Sequence, residues 1–270
     1  MGIRQAGIPI GGAMAGWLIP LLSTRYDWSI AVVCQAVLAI VGGLMFLFIY
    51  KDPVTENNKS TNDYNFMVEL KNLLKQKQLY PLLFTGFVLV SLQMILVAHL
   101  MTFLQNIMVH VTLVTAGQML SICLLFGMIG RITLAWLSDK VWKGDRVQPL
   151  ILTIWSVVLG LLALVFLPQK TPIFIIFILC AWLGFFGIGW YSLFIVQVAE
   201  KSRPDSIGLT VSYALTLNQS AIISAPFLFG LLVDLQSSYF WSWIILVMLL
   251  SISGIWLWSD KRSYMSEKNE

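Results

Sequence analysis

Charge is scarce in this chain. Asp, Glu, Lys and Arg make up 11% of its 270 residues, against about 25% in a soluble domain. Hydrophobic residues make up 58%, and no water-soluble core absorbs such a surplus, so much of it must face lipid. Histidine occurs twice and cysteine three times. Cys34, Cys123 and Cys180 stand far apart, each in an apolar run. No pair has metal-ligand or redox spacing, so they read as small buried hydrophobes. With only His99 and His110, no histidine–acid metal motif and no GxSxG, the chain lacks the constellation an intramembrane enzyme needs. No catalytic residue, metal ligand or cofactor is expected. A nucleotide-binding motif is missing too. The net charge of +4 is not gathered on one element, so nucleic acid is not an expected partner.

Long apolar runs fill the rest. A spanning helix needs about 20 mainly apolar residues, and the chain offers eight candidates, at about 6–22, 28–50, 80–104, 114–137, 148–167, 172–198, 207–232 and 240–258. The expected fold class is all-α, a polytopic membrane helical bundle. Basic residues then set the orientation. With the N-terminus inside, inside segments hold Arg4; Lys51, Lys59, Lys71, Lys75 and Lys77; Lys140, Lys143 and Arg146; Lys201 and Arg203; Lys261, Arg262 and Lys268. Outside segments hold only Arg25 and Lys170. Fourteen bases against two favour a multi-pass protein of the cell membrane with both termini cytoplasmic. Trp28, Tyr80, Trp136, Tyr239, Trp241 and Trp258 lie near span ends, as interfacial anchors do.

One base is left over. Arg131 sits inside the fourth span, about eight residues before Asp139, and a charge at the bilayer centre costs roughly 2.5–3.5 kcal/mol on insertion scales. It lies on the cytoplasmic side of the midplane, where its stem can reach toward the inner interface. Asp139 sits at a helix C-terminus, where the macrodipole disfavours an acid. Lys140, Lys143, Arg146 and the helix N-terminus near Ser206–Gly208 can each compensate it. Three readings stand. Arg131, Asp139, Lys140 and Arg146 form a releasable cytoplasmic gate of the kind alternating access requires. Or Arg131 snorkels to phosphates and the loop charges only fix topology. Or Arg131 anchors an anionic solute.

The stretch GRITLAWLSDKVWKGDR, beginning at Gly130, resembles the cytoplasmic loop signature of the major facilitator superfamily, as repeated between the eighth and ninth helices of its twelve-helix fold. Ala135 stands where that signature usually has glycine, and Gly144 is displaced. MGIRQAGIPIGGAMAG resembles a fifth helix, GFFGIGWYSLFIVQVAE a tenth, and PFLFGLLVDLQSSY the end of the eleventh with the turn into the twelfth. The resemblance implies that residues 1–50 are the last two helices of an N-terminal half. It makes 51–78 the cytoplasmic linker and 79–270 the six-helix C-terminal half. It also implies that helices one to four are missing, so that a partner would have to supply them. The linker carries Phe66, Leu70, Leu73 and Leu74 on one helical face. It reads either as an amphipathic helix on the membrane surface or as an ordinary solvated connection.

The resemblance implies transport of a small solute bound near the midplane. Gln93 and Asn218 lie about halfway along the third and seventh spans and are the first candidates for solute contact. Tyr213, Gln219, Trp190 and Tyr191 are further candidates. The competing reading is helix–helix hydrogen bonding, worth about 0.6 kcal/mol on average. Gly208, Ser212, Thr216, Ser220 and Ser224 form a stripe of small residues on the seventh span, read either as tight packing or as a face that slides on the opposite half. The resemblance also implies that the first span meets the fourth, whose Gly117 and Ser121 offer a matching notch. No Asp or Glu stands mid-span, so the chain shows no carboxylate for a proton relay. His99 reads either as a titrating group or as a satisfied histidine. The rival to a transporter is a non-transporting membrane protein that needs a partner for the missing helices.

Overall fold

The structure is a computed structural model that describes residues 7–49, 66–108 and 110–269. Arg4, Lys51, Lys59 and both chain termini lie outside the described residues, as does the polar stretch 51–65. The described elements are helices: α1 (Gly7–Arg25), α2 (Trp28–Ile49), α3 (Phe66–Leu74), α4 (Tyr80–Ile107), α5 (Leu113–Lys140), α6 (Val147–Val165), α7 (Ile173–Gly187), α8 (Tyr191–Lys201), α9 (Ile207–Gln236) and α10 (Tyr239–Asn269). Seven segments of the described residues are long and apolar enough to cross a membrane. They coincide with the expected second to eighth spans. The expected first span is α1, 19 residues or about 28 Å at 1.5 Å per residue.

The expected sixth span is the segment Ile173–Lys201, and its helix is interrupted midway. α7 ends at Gly187, residues Ile188–Trp190 form a turn, and α8 begins at Tyr191. The reason is local. The run GFFGIGW places glycines at 184, 187 and 189, and glycine disfavours a helix interior by roughly 0.8–1.0 kcal/mol per residue relative to alanine.

Other boundaries follow ordinary end chemistry. Pro81 occupies the first turn of α4, where its missing N–H costs nothing. Thr112 caps α5, its Oγ1 accepting from Thr115 N at 3.2 Å. Ser237 ends α9 in the left-handed region at φ 49°. Asp145 Oδ1 accepts from the backbone N–H groups of Val147 and Gln148 at 2.9 and 3.3 Å, which satisfies the first turn of α6.

In chain order the six C-terminal spans make two units of three, and the heaviest packing runs between the units rather than within them. One holds α4, α5 and α6; the other holds α7 with α8, α9 and α10. α5 crosses α7, and α9 crosses α4 in the matching way. α6 lies on α7, α10 on α4, and α6 and α10 meet each other. α4 is the central helix: Leu82, Leu89, Leu92, Leu96, Leu100, Phe103 and Leu104 are all buried. α1 packs on α5 and carries α2, in which only Ala31 is buried. Val33, Val37, Ile40, Leu44 and Phe48 of α2 are exposed, as befits a helix bathed in lipid. In α3, Leu73 is buried and Leu74 exposed. The side chains of Phe66 and Leu70 are outside the described residues.

Candidate functional site

The site begins with glycine. Where α5 crosses α7 the two backbones touch. A Cβ on Gly184 would lie 1.9 Å from the Cys123 carbonyl oxygen, and one on Gly130 would lie 2.2 Å from that of Phe185. Gly127 makes room for the Ile188 side chain, a built Cβ lying 2.7 Å from its Cβ. This approach brings Arg131 beside the break between α7 and α8. Its Nε donates to the Ile188 carbonyl at 3.2 Å, and its guanidinium carbon lies 5.3 Å from the centroid of the Tyr191 ring. Arg131 is 2% exposed. The side chain therefore turns into the bundle rather than along its stem to the interface. A cation at the C-terminal end of a half-helix also meets the negative pole of the α7 dipole.

About two turns of α5 further on, a network of charges ties the same end of the bundle. Asp139 pairs with Arg146 at 2.5 Å, and Arg146 Nε lies 3.6 Å from Glu200 at the end of α8. Of the groups expected to compensate Asp139, the fold brings Arg146 to it. Lys140 instead lies over the Trp136 ring at 4.8 Å. The loop that makes this possible turns sharply at Lys143 (φ 50°) and Gly144 (φ 89°). Ser138 Oγ clasps it by donating to the Asp145 carbonyl at 2.9 Å. Lys261 Nζ reaches from α10 to Asp145 Oδ2 at 2.5 Å and Gln148 Oε1 at 2.8 Å. Lys201 Nζ bridges Asp260 at 2.7 Å and the Gln78 carbonyl at 3.1 Å. The ends of α5, α8 and α10 and the starts of α4 and α6 are thus tied by ions.

A family match now decides what kind of molecule carries this geometry. The family model described as Major Facilitator Superfamily matches residues 1–226. The chain belongs to the major facilitator superfamily. It is therefore a member of a family of membrane transporters, not of enzymes. It is similar to a benzoate transport protein of Acinetobacter baylyi, 27% identical over 164 residues. That alignment takes in 57% of this chain and 34% of the relative, so the chain matches about a third of that transporter's length.

In this superfamily member the solute-contact candidates divide by burial. Gln93 on α4 and Asn218 on α9 are buried, and Gln93 Oε1 and both amide atoms of Asn218 have no hydrogen-bond partner among the described residues. Helix–helix hydrogen bonding, the competing reading of these residues, does not account for those atoms. The two helices pack on each other. Gly187, at the end of α7, faces Leu92 and Leu96 of α4, its built Cβ 3.3 and 3.5 Å from their methyl groups. The helix break is therefore level with Gln93. Trp190 is fully buried in that break, and neither its Nε1 nor Ser192 Oγ just beyond it has a partner among the described residues. Tyr191 lies against Arg131. Tyr213 is half-buried, and Gln219 is exposed, turned away from the packed face of α9.

The small-residue stripes also divide. Gly117 and Ser121 of α5 receive α1 as expected. A Cβ on Gly117 would lie 2.4 Å from the Gly16 carbonyl oxygen, and Ser121 Oγ donates to the Ala13 carbonyl at 2.8 Å. The α9 stripe is bare: Gly208, Ser212, Thr216 and Ser220 are exposed. Thr216, Ser220 and Ser224 turn their hydroxyls back to carbonyls of their own helix at 2.7–2.9 Å. His99 is satisfied, its Nε2 donating to the Pro226 carbonyl at 3.0 Å.

Sequence reasoning missed Glu200, Asp145, Lys201, Asp260 and Lys261 as partners. Their charges at span ends were visible, but their pairing depends on which ends the fold brings together. It also missed the break at Ile188, for which the closely spaced glycines of GFFGIGW were the available signal.

Proposed function

We propose that this chain forms part of a secondary transporter or facilitator that moves a small solute by alternating access. Residues 1–50 contribute the end of an N-terminal half, 51–78 the cytoplasmic linker and 79–270 the C-terminal half. The observation that carries the reading is the coupling of two features on α5 and α7–α8. One is a set of ion pairs at the helix ends, Asp139–Arg146–Glu200. The other is a mid-span break with buried polar atoms left open at Trp190, Ser192, Gln93 and Asn218. Discontinuous helices at the midplane supply transporters with polar backbone and side-chain groups where solute sits. Ion pairs at one end make a contact that can be released and remade.

On this reading Asp139, Arg146 and Lys140 act at the cytoplasmic gate, and Arg131 links that gate to the break. Gln93, Asn218 and Trp190 meet the solute, with Tyr191, Tyr213 and Gln219 around it. Both termini face the cytoplasm of a cell membrane, as the distribution of basic residues supports. A buried guanidinium beside the unpartnered donors of Trp190 and Ser192 suits an organic anion, and so does the similarity to a benzoate transport protein. The test is uptake of labelled benzoate, with a panel of small carboxylates and neutral solutes, into liposomes holding the purified chain. Asp139→Asn and Arg146→Gln should slow uptake at least tenfold, and normal rates in both remove the gate.

The bare α9 face supports a second reading, in which the chain does not transport until a helical partner docks there. A row of hydroxyls with no neighbouring helix is what a membrane helix interface shows before its partner docks. Liposomes in which the chain alone is inert, and active only when co-expressed with a helical partner, would establish it.

A further inference from the structure

The end of the bundle that carries the ion pairs has used its nearby acids. Asp139 and Glu200 hold Arg146, Asp145 holds Lys261, and Asp260 holds Lys201. What remains around the α5–α6 loop is positive. Lys140, Lys143 and Arg262 are exposed, and none has an ion-pair partner among the described residues. Two of the three are seated on indoles. Lys140 Nζ lies 4.8 Å from the centroid of the Trp136 ring, and the Arg262 guanidinium carbon lies 5.6 Å from that of Trp258. In each pair the tryptophan stands four residues before its cation, so indole and charge share one helix face.

Those faces look outward. Trp136 is 55% exposed and Trp258 is 52% exposed. Ile129 and Ile132 lie exposed on the turns of α5 before Trp136, and Ile252 and Ile255 on the turns of α10 before Trp258. Each helix therefore presents apolar surface, then an indole, then a cation, in the order in which a bilayer presents acyl chain, interface and headgroup. The fold also ties α10 beside one pair to the loop that follows the other. Lys261, next to Arg262, holds Asp145 of the α5–α6 loop, two residues past Lys143.

We propose that the rim formed by Trp136, Lys140, Lys143, Trp258 and Arg262 binds the phosphate headgroup of an anionic phospholipid. The cations meet the phosphate, the indoles lie at the level of the glycerol backbone, and the acyl chains lie along the exposed isoleucines. A soluble acidic peptide fits poorly, because the indoles and isoleucines below the cations would stay uncovered. Free phosphate fits poorly for the same reason.

The test is native mass spectrometry of the purified full chain in neutral detergent. It is titrated with phosphatidylglycerol, with phosphatidylcholine of the same acyl chains, and with glycerol phosphate as the headgroup alone. Phosphatidylglycerol should be retained in preference to the other two. The Lys140→Gln/Arg262→Gln double variant should weaken its retention about thirtyfold, on the basis of two surface charges removed. Lys140→Gln alone should give an intermediate loss, and Lys170→Gln, at the opposite end of the chain's spans, should change nothing. Equal retention of both lipids, undiminished retention by the double variant, or equally tight binding of glycerol phosphate each overturns the proposal.

Discussion

The crossing of α5 on α7 and the crossing of α9 on α4 occupy matching places in the two three-helix units, yet they are built differently. At the first, backbones touch, because Gly127, Gly130 and Gly184 carry no side chain where the helices meet. At the second, side chains fill the gap. His99 reaches the Pro226 carbonyl, and Gly230 leaves just enough room for the imidazole, its built Cβ 3.2 Å from the His99 ring. The first crossing delivers a charge into the bundle. The second leaves Gln93 Oε1 and both amide atoms of Asn218 buried without partners among the described residues. One crossing is therefore rigid and satisfied by close contact, while the other keeps hydrogen-bonding capacity in reserve. Fixed contacts suit the part that transmits a gate movement; unspent polar atoms suit the part that meets a solute.

The sharpest way to break this contrast is at the glycines. Gly184→Val should abolish folding or cost more than about 1–3 kcal/mol, the usual range for overpacking, because the obstructing atom is a backbone carbonyl. Gly230→Ala should cost clearly less, since the His99 ring can shift by a few tenths of an ångström. Thermal melts of both variants in detergent check this, and similar melting points would mean that the crossings are equivalent.

Arg131→Met should come next. It orphans the buried Ile188 carbonyl, worth about 1–3 kcal/mol, and it should also slow transport, whereas Arg131→Lys should keep more of both properties. A smaller effect is expected from His99→Leu, about 0.5–1.5 kcal/mol for one net hydrogen bond, read by the same melts. Ser121→Ala should cost about 0.6 kcal/mol, the average for an interhelical side-chain bond in a membrane, measured against α1–α5 cross-linking as a check that the contact survives. The least destabilising change sharpens the comparison most. Asn218→Leu and Gln93→Leu should leave stability unchanged or slightly raised, because buried atoms without partners are removed, while solute uptake falls. A loss of stability above about 1 kcal/mol in either variant would assign that amide to structure instead.

Much of the fold was legible in the sequence, and the reason differs by element. α2 is a continuous apolar run closed by polar residues, and a run of that length has one stable place in a bilayer. The α1–α5 contact was legible through the family resemblance, with Gly117 and Ser121 offering a notch that suits another small-residue helix. The inward turn of Arg131 was not legible, since the same residue one crossing away from the glycines could equally reach the interface. Nor was the choice of Arg146 over Lys140 for Asp139, which rests on the left-handed turn at Lys143 and Gly144.

What the amino-acid order determined alone is the number and approximate limits of the apolar segments, because transfer of a side chain into lipid depends on that side chain and its near neighbours. What the tertiary structure decided is which charges find one another and where a helix opens. Those outcomes depend on how closely two backbones approach, and that distance is set jointly by residues far apart in the chain.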